Sequence, residues 1–262
     1  MPERLSPVET AKRAAARRAA DLVEPDMALG IGTGSTAYWL IRHLGERIAS
    51  EGLRITGVPT SSQTAELASK AGIALVDLEA AGRLDLTIDG ADEFDSALNL
   101  VKGGGGALLR EKIVAAASDR MIVIADKSKH VETLGAFPLP VEVTSFGWQS
   151  TKAAIEDLLP GHDLLGDQIT LRLDGEAPFV TDGGNLILDL HLKRIGDPRR
   201  LARDLNLIPG VVESGLFIGL CDTVVIGHGD GRTEIIGSAN GIAPPGDADF
   251  PEPDNLFADL GD

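Results

Sequence analysis

Gly30-Ile-Gly-Thr-Gly-Ser-Thr36 is the stretch that decides the fold, because it joins an apolar run, Met27–Ile31, to a helical stretch at residues 36–50. Glycines in such a turn let backbone N–H groups approach an anion, and the N-terminus of the helix adds a favourable dipole. Ser35 and Thr36 add hydroxyl donors. A strand, a glycine turn and a helix in this order predict the first half of a β-α-β unit.

The same alternation continues on both sides of this turn. Helices are expected at residues 8–23, 63–71 and, after a second glycine loop, within 103–117; strands are expected at 55–58, 73–78, 84–88 and 121–125. Strands that alternate with helices indicate a parallel sheet with helices on both faces. We therefore expect an α/β, Rossmann-like domain over residues 1–135.

The pattern changes after residue 135, where Phe137-Pro-Leu-Pro140 interrupts it. Helices at 147–159 and 198–205 then alternate with strands at 168–173, 179–192 and 211–218. Two strands for each helix predict a smaller α+β domain with an antiparallel sheet over residues 136–215. Residues 216–243 are expected to return to the first domain as a hairpin. Residues 244–262 carry six acids and no Lys or Arg, which predicts a loosely ordered tail.

The composition excludes several classes of protein. The 262 residues include 40 Asp and Glu against 24 Lys and Arg, a net charge of −16, which argues against nucleic-acid or anionic-membrane binding. No apolar run approaches the roughly 18 residues of a membrane span. The single cysteine, Cys221, excludes an internal disulfide and fits a reducing cytoplasm. Because Cys221 lies in an apolar stretch, we expect an inert, buried thiol.

The first glycine turn has two competing interpretations. Residues 32–37 also fit the G-x-G-x-x-A fingerprint of a dinucleotide site. A nicotinamide cofactor would need an acid after the next strand, but Pro59-Thr-Ser-Ser62 carries none, which disfavours a dehydrogenase. No Lys-Ser or Lys-Thr pair follows the glycines, so the turn is not an ATP-type phosphate loop. From the residues alone, it is either a phosphate site or a tight connection.

Three acids follow the apolar run at residues 84–88, in Asp89-Gly-Ala-Asp92-Glu93. Acids at the carboxyl end of a buried strand lie where open α/β sheets bind ligands. They could accept hydrogen bonds from sugar hydroxyls, or they could form a solvated acidic turn. Metal binding is disfavoured because no His or Cys lies nearby and the spacing matches no ligand loop.

The second glycine loop, Lys102-Gly-Gly-Gly-Gly106, runs into the helix that carries Glu111. Each glycine costs about 0.5–1 kcal/mol relative to Ala in regular structure, which disfavours a plain linker. We expect the buried stripe of this helix to consist of Leu108, Leu109, Ile113 and Ala116, with Glu111 leaning back toward Lys102. Such a Glu could be a general base beside a stabilising ammonium; a surface Glu paired with Arg110 is the alternative.

A further lysine, Lys129, follows the strand expected at residues 121–125. It could neutralise a phosphate or be a solvated turn residue. We expect all four segments to follow strands of one parallel sheet, so that their loops converge on one edge. An anion cradle, two carboxylates, a helical Glu and two lysines suit acid–base chemistry on a small phosphorylated polyol.

In this order, these segments resemble type A ribose-5-phosphate isomerase. Further matching stretches are Phe137–Val143, Val180-Thr-Asp182 with Gly184-Asn185, and Ile208-Pro-Gly-Val-Val212. The resemblance implies a ferredoxin-like lid domain, a homodimer or homotetramer, and no cofactor or metal. It also implies the interconversion of ribose 5-phosphate and ribulose 5-phosphate through an enediolate, in the pentose phosphate pathway of the cytoplasm.

The resemblance also implies roles for particular residues. Glu111 would be the proton acceptor, with Lys102, Asp89 and Asp92 as the other catalytic residues. Which of the two aspartates assists proton transfer between the substrate oxygens stays open. The residues that would bind the substrate are Thr33, Gly34, Ser35, Thr36, Asp89, Gly90, Ala91, Asp92, Lys102, Gly103, Gly104, Gly105 and Lys129.

Two other classes of protein compete with this interpretation. A sugar-phosphate sensor domain of a transcription regulator would need a DNA-binding segment, but the N-terminus offers one helix and no helix-turn-helix. A coenzyme A transferase would use a glutamate as nucleophile rather than as base. A coupled assay with ribose 5-phosphate separates both from an isomerase.

Overall fold

The computed structural model describes residues 5–237. The expected acidic tail at residues 244–262, and the end of the expected return hairpin at residues 238–243, lie outside the described residues. Within residues 5–237, no helix is long and apolar enough to cross a membrane.

The first half of the chain forms a parallel sheet covered by helices. Its elements are α1 (Pro7–Ala20), β1 (Ala28–Ile31), α2 (Ser35–Glu51), β2 (Thr56–Pro59), α3 (Ser62–Lys70), β3 (Ala74–Leu75), α4 (Leu78–Ala81), β4 (Leu86–Gly90), β5 (Glu93–Phe94), β6 (Leu100–Val101), α5 (Leu108–Ala116) and β7 (Met121–Asp126). Successive residues of β7 pack into hydrophobic clusters on opposite faces of the sheet. Ile122 and Ile124 pack with α1 and α2, whereas Val123 and Ala125 pack on the other face. Burial on both faces explains why these strands are continuous apolar runs in the sequence.

A smaller antiparallel sheet with two helices follows. Its elements are β8 (Leu139–Val143), α6 (Trp148–Leu158), β9 (Gln168–Leu171), β10 (Leu173–Asp174), β11 (Ala177–Pro178), β12 (Leu186–His191), α7 (Pro198–Asn206) and β13 (Val211–Ser214). The strand order β13-β8-β12-β9 with α6 and α7 as connections is the split β-α-β arrangement of ferredoxin-like units. Two short 3₁₀ turns lie at Lys127–Lys129 and Leu159–Gly161.

The chain then returns to the first sheet through β14 (Leu216–Phe217), β15 (Thr223–Gly227) and β16 (Thr233–Gly237). Within the described residues, the large sheet has the order β16-β15-β7-β4-β1-β2-β3, parallel except for β16. β14, β6 and β5 form a separate, small antiparallel sheet. The predicted α/β fold with a smaller α+β unit is therefore confirmed.

The structure corrects three expected elements. Phe137–Pro140 does not simply interrupt the pattern, because buried strand β8 begins at Leu139 and lies inside the smaller sheet. Proline has no N–H to donate, and in a strand the N–H and C=O of one residue point to the same side. On that side Pro140 O accepts a hydrogen bond from Gly215 N (2.7 Å), and β13 has already ended at Ser214. Pro140 therefore fits in this strand. The strand expected at 73–78 shortens to β3, since α4 begins at Leu78.

The strand expected at 211–218 is two strands, β13 and β14, which belong to different sheets. Between them, Gly215 donates its N–H to Pro140 O and accepts a hydrogen bond from Lys102 N (2.9 Å). The apolar pattern continues through this bend because both strands are buried, so the sequence hides the change of sheet. The bend attaches the backbone of Lys102 to the returning chain.

Candidate active site

The carboxyl ends of three neighbouring strands, β7, β4 and β1, define one edge of the large sheet. The last residues of β4 and β7 and the segments that follow the three strands carry the residue groups 126–129, 89–92 and 33–36, in that order. The fourth group does not follow a strand of this sheet, contrary to expectation. Lys102 follows β6 of the small antiparallel sheet, and the return segment holds it against the same edge.

The loop after β1 is built to receive an anion. Gly34 is the N-cap of α2, and its φ of +106° is in the region that favours glycine. No side chain among the described residues caps this helix, and the first backbone N–H groups of a helix have no intrahelical acceptor. Ser35 and Thr36 lie in this first turn. Partial positive charge and free N–H groups therefore face the cleft.

Thr33 anchors that loop from below. Its Oγ1 lies 2.7 Å from Thr60 Oγ1, 2.9 Å from Ser61 Oγ and 3.0 Å from Thr64 Oγ1. All three partners are buried. Hydroxyl groups in such a closed cluster donate and accept hydrogen bonds among themselves, so the conformation of the loop does not depend on hydrogen bonds to water.

Asp89 lies beneath the cleft and is fully buried. Its Oδ1 accepts from Thr33 N (3.1 Å) and Gly90 N (2.7 Å), and its Oδ2 lies 2.9 Å from Lys102 Nζ. Gly32 packs directly on this carboxylate: a Cβ at residue 32 would lie 2.1 Å from Asp89 Oδ1. Burial raises the pKa of Asp89, and the Lys102 charge opposes this rise.

Lys102 joins the two buried carboxylates. Its Nζ donates to Gly90 O (2.6 Å) and lies 2.9 Å from Asp89 Oδ2 and 3.5 Å from Glu111 Oε1. Burial alone would lower the pKa of Lys102, but the charges of Asp89 and Glu111 outweigh it, and the pKa is raised. Lys102 is therefore a firmly charged ammonium at the bottom of the cleft.

Glu111 is on the buried face of α5, which differs from the expected stripe. The buried residues of α5 are Leu108, Glu111, Val114 and Ala115, whereas Ile113 is 48% exposed. The Glu111 carboxylate interrupts the apolar period on the inner face of α5. The apolar residues of the sequence therefore indicated a neighbouring face of the helix as the buried one. Glu111 Oε2 is buried without a hydrogen-bond partner within residues 5–237. Burial and the charge of Asp89 raise the pKa of Glu111 to about 8, against the pull of Lys102.

Asp92 lines the cleft above Asp89. Its Oδ2 accepts from Gly104 N (2.8 Å) in the second glycine loop. This bond joins the loop after β4 to the loop before α5.

The structure places twelve of the thirteen expected substrate-binding residues in the lining of one cleft. The exception is Asp89, which supports the floor. These twelve are Thr33, Gly34, Ser35, Thr36, Gly90, Ala91, Asp92, Lys102, Gly103, Gly104, Gly105 and Lys129, and Glu111 lines the same cleft.

Ala125 and Asp126, from the segment that carries Lys129, also line the cleft but were not among the expected binding residues, and sequence reasoning missed Lys12, a further lining residue. Lys12 comes from α1, whose long row of alanines packs on the sheet, and its Nζ lies 2.8 Å from Glu9 Oε1. No local motif marks this lysine, because it reaches the site only through helix packing.

The described residues offer no metal centre: within residues 5–237, no group of three His, Cys, Asp or Glu side chains could hold a metal ion. The cleft contains the elements of proton transfer: a buried carboxylate of raised pKa, an adjacent ammonium, a further carboxylate and an anion cradle.

Comparison with known proteins decides the family. Residues 56–231 match the family model described as ribose 5-phosphate isomerase A (phosphoriboisomerase A). The chain is 64% identical over 262 residues to ribose-5-phosphate isomerase A of Cereibacter sphaeroides, covering all of both chains. The chain belongs to the ribose 5-phosphate isomerase A family.

Solved structures of ribose 5-phosphate isomerases have the same fold. The Plasmodium falciparum enzyme superposes with a TM-score of 0.82 at 35% identity, covering 88% of this chain and 99% of that one. A D-ribose-5-phosphate isomerase in complex with phospho-erythronic acid superposes with a TM-score of 0.81 at 37% identity, again covering 88% of this chain and 99% of that one. The resemblance to this isomerase family inferred from the motifs is confirmed.

Proposed function

We propose that this chain interconverts ribose 5-phosphate and ribulose 5-phosphate, with Glu111 as the base that moves the proton between C2 and C1. The observation that carries the proposal is the pairing of buried Glu111 with Lys102, whose Oε1 and Nζ atoms lie 3.5 Å apart. The cleft that holds this pair also contains the anion cradle of residues 33–36. Phospho-erythronic acid, bound by a relative, has a phosphate at one end and a carboxylate at the other. A carboxylate has the shape and charge of an enediolate, which supports this reaction for the present chain.

The phosphate occupies the cradle in this proposal. Ser35 and Thr36, in the first turn of α2, line the cleft together with Lys12 and Lys129, which carry positive charge. Because an anion at a helix N-terminus gains from both free N–H groups and the dipole, this end binds the substrate without taking part in the chemistry.

The reaction proceeds at the Glu111 end. The C2 hydrogen of the open-chain aldose is weakly acidic, so the negative charge that develops on oxygen must be stabilised as the proton leaves. Lys102 supplies a fixed positive charge there, in a buried environment where it acts more strongly than in water. Glu111 takes the C2 proton and returns it to C1. A base with a pKa near the working pH is able to do both.

Asp92 is the carboxylate placed to handle the substrate oxygens. Asp89 already contacts Thr33 N, Gly90 N and Lys102, whereas Asp92 lines the cleft. We therefore assign hydroxyl binding and O1–O2 proton transfer to Asp92, and the orientation of Lys102 to Asp89.

The cellular setting completes the proposal. Its substrates place the enzyme in the non-oxidative pentose phosphate pathway, and one cysteine with a net charge of −16 supports a cytoplasmic protein that binds neither nucleic acid nor membranes. Assembly as a homodimer or homotetramer follows from the family resemblance.

A coupled assay with purified protein, ribose 5-phosphate and excess EDTA tests the reaction. We expect turnover without a metal ion or an added nucleotide. Absence of turnover on ribose 5-phosphate, or turnover that EDTA abolishes and a divalent ion restores, would contradict the proposal.

A further inference from the structure

Arg172 directly follows β9 in the smaller unit, which contains β8 to β13, and reaches the second glycine loop of the large unit, which contains the large sheet. Its Nη1 donates to Gly103 O (2.7 Å) and Gly104 O (3.1 Å). The side chain is 14% exposed. Arg172 lines neither the cleft nor the cradle, so its contact with the site runs through the backbone of the loop.

Asp189 on β12 holds the guanidinium in this position. Arg172 Nε donates to Asp189 Oδ2 (2.9 Å), and Arg172 Nη2 contacts Asp189 Oδ1. The backbone of Arg172 also donates to Ile187 O (2.9 Å), which joins β9 to β12. A two-point contact between arginine and carboxylate fixes the plane of the guanidinium, so its third nitrogen points in one direction.

The same loop also contacts a catalytic carboxylate, that of Asp92. While the carbonyls of Gly103 and Gly104 contact Arg172, Gly104 N donates to Asp92 Oδ2 (2.8 Å). A run of glycines has many accessible backbone conformations, and only contacts from outside the loop select one of them. Arg172 supplies such contacts.

We propose that Arg172 is a positioning residue for the isomerisation: held by Asp189, it orients the glycine loop so that Gly104 N–H fixes the carboxylate of Asp92. The proposal rests on the function proposed above. In this proposal the smaller unit contributes to the geometry of the active site through Arg172, although it supplies no catalytic acid or base.

A purely structural role for Arg172 predicts different behaviour. The two units are also linked through Asp182, whose Oδ2 accepts from Ser62 N (2.8 Å) and Arg110 Nη1 (3.0 Å). Loss of Arg172 therefore leaves another polar link between the units in place. If Arg172 only joined the units, its removal would change stability and not the geometry of Asp92.

The first test compares R172A with R54A. Arg54 makes a similar two-point contact with an aspartate, Asp26 (3.1 and 2.9 Å), on the exposed surface of the large unit. We expect R172A to lower kcat by about 10- to 100-fold, since a displacement of about 1 Å at a catalytic group can have that effect. KM should change less than about threefold, because the phosphate cradle is untouched, and R54A should match wild type.

A double-mutant cycle with D92N separates positioning from general damage. If Arg172 acts through Asp92, R172A/D92N should be no slower than D92N alone. R172K, which keeps the charge but not the planar fork, should fall between R172A and wild type. If R172A does not fold, the same cycle is measured with R172K. The proposal would be overturned if the loss of kcat in the double variant equals the product of the two single-variant losses. It would also be overturned if the Arg172 variant has the wild-type kcat.

Hydrogen exchange distinguishes this inference from the proposed function. Amides of residues 103–106 should exchange faster in R172A than in R54A, whatever reaction the protein catalyses. If wild type leaves ribose 5-phosphate unchanged, the proposed function fails. If wild type isomerises it but loop exchange is the same in both variants, the positioning role of Arg172 fails.

Discussion

Replacing Glu111 with glutamine removes the basicity of the side chain while keeping its size and most of its hydrogen-bonding capacity. A positioned general base contributes about 10²–10⁴ in rate, or about 3–5 kcal/mol of the barrier. We expect E111Q to lose at least a hundredfold in kcat with little change in KM, because the substitution leaves the residues of the phosphate cradle unaltered. E66Q is the matched control, since Glu66 is an exposed residue of α3 that pairs weakly with Lys70 (3.8 Å).

The same substitution should change stability in a pH-dependent way. The pKa of Glu111 rises from an ordinary value of 4.5 to about 8 in the folded protein, so ionisation of Glu111 favours the unfolded chain. This destabilisation is absent below about pH 4.5, grows as pH rises, and is complete above about pH 8. At full ionisation it amounts to at most about 5 kcal/mol.

Urea unfolding of wild type, E111Q and E66Q at pH 5 and pH 9 measures this effect. Lys102 keeps Asp89 as a charged partner in E111Q, and its attraction for ionised Glu111 is already contained in the Glu111 pKa of about 8. The difference between the two pH values therefore isolates the ionisation of Glu111. We expect the free energy of unfolding of E111Q, relative to wild type, to be several kcal/mol higher at pH 9 than at pH 5.

The pH profile of the wild-type enzyme gives an independent measure. A base that must be deprotonated makes kcat/KM rise with pH, and the midpoint of that rise should lie well above 4.5, toward 8. Retention of more than about a tenth of wild-type kcat by E111Q would show that Glu111 is not the base. A relative stability of E111Q that does not depend on pH would refute the raised pKa.

Three further predictions concern other parts of the protein. T36D should raise KM at least about tenfold, because it places a carboxylate at the phosphate cradle; an unchanged KM would move the phosphate elsewhere. G104A should lower kcat by about tenfold without changing the urea midpoint, since the new Cβ would lie 2.6 Å from Asp92 Oδ1 on an exposed loop; wild-type kcat would contradict the assigned role of Asp92. Cys221, 9% exposed with a pKa raised by burial to about 12, should resist a thiol reagent at pH 7 until the protein unfolds; rapid labelling of the folded protein would contradict this.

Several features of this protein could be predicted from the sequence because they are local. Strand periods, helix periods and the glycine turn at residues 30–36 depend on neighbouring residues, so they indicated the parallel sheet and the position of its ligand edge. Asp89 and Lys129 stood out because each follows a buried run. Their roles as binding residues remain predictions, but the sequence alone singled them out.

Other features required the tertiary structure. Buried polar groups weaken the pattern that reveals buried faces, which is why Ile113 was assigned to the inner stripe of α5 instead of Glu111. Lys12 lies on a helix and Arg172 directly after a strand, both far from the site in sequence, and no neighbouring residue marks either of them. What the sequence determined was which elements form and which chemical groups follow them. Only tertiary packing decided which distant side chains reach the cleft, because such contacts depend on how helices and sheets pack and not on the residues adjacent in the chain.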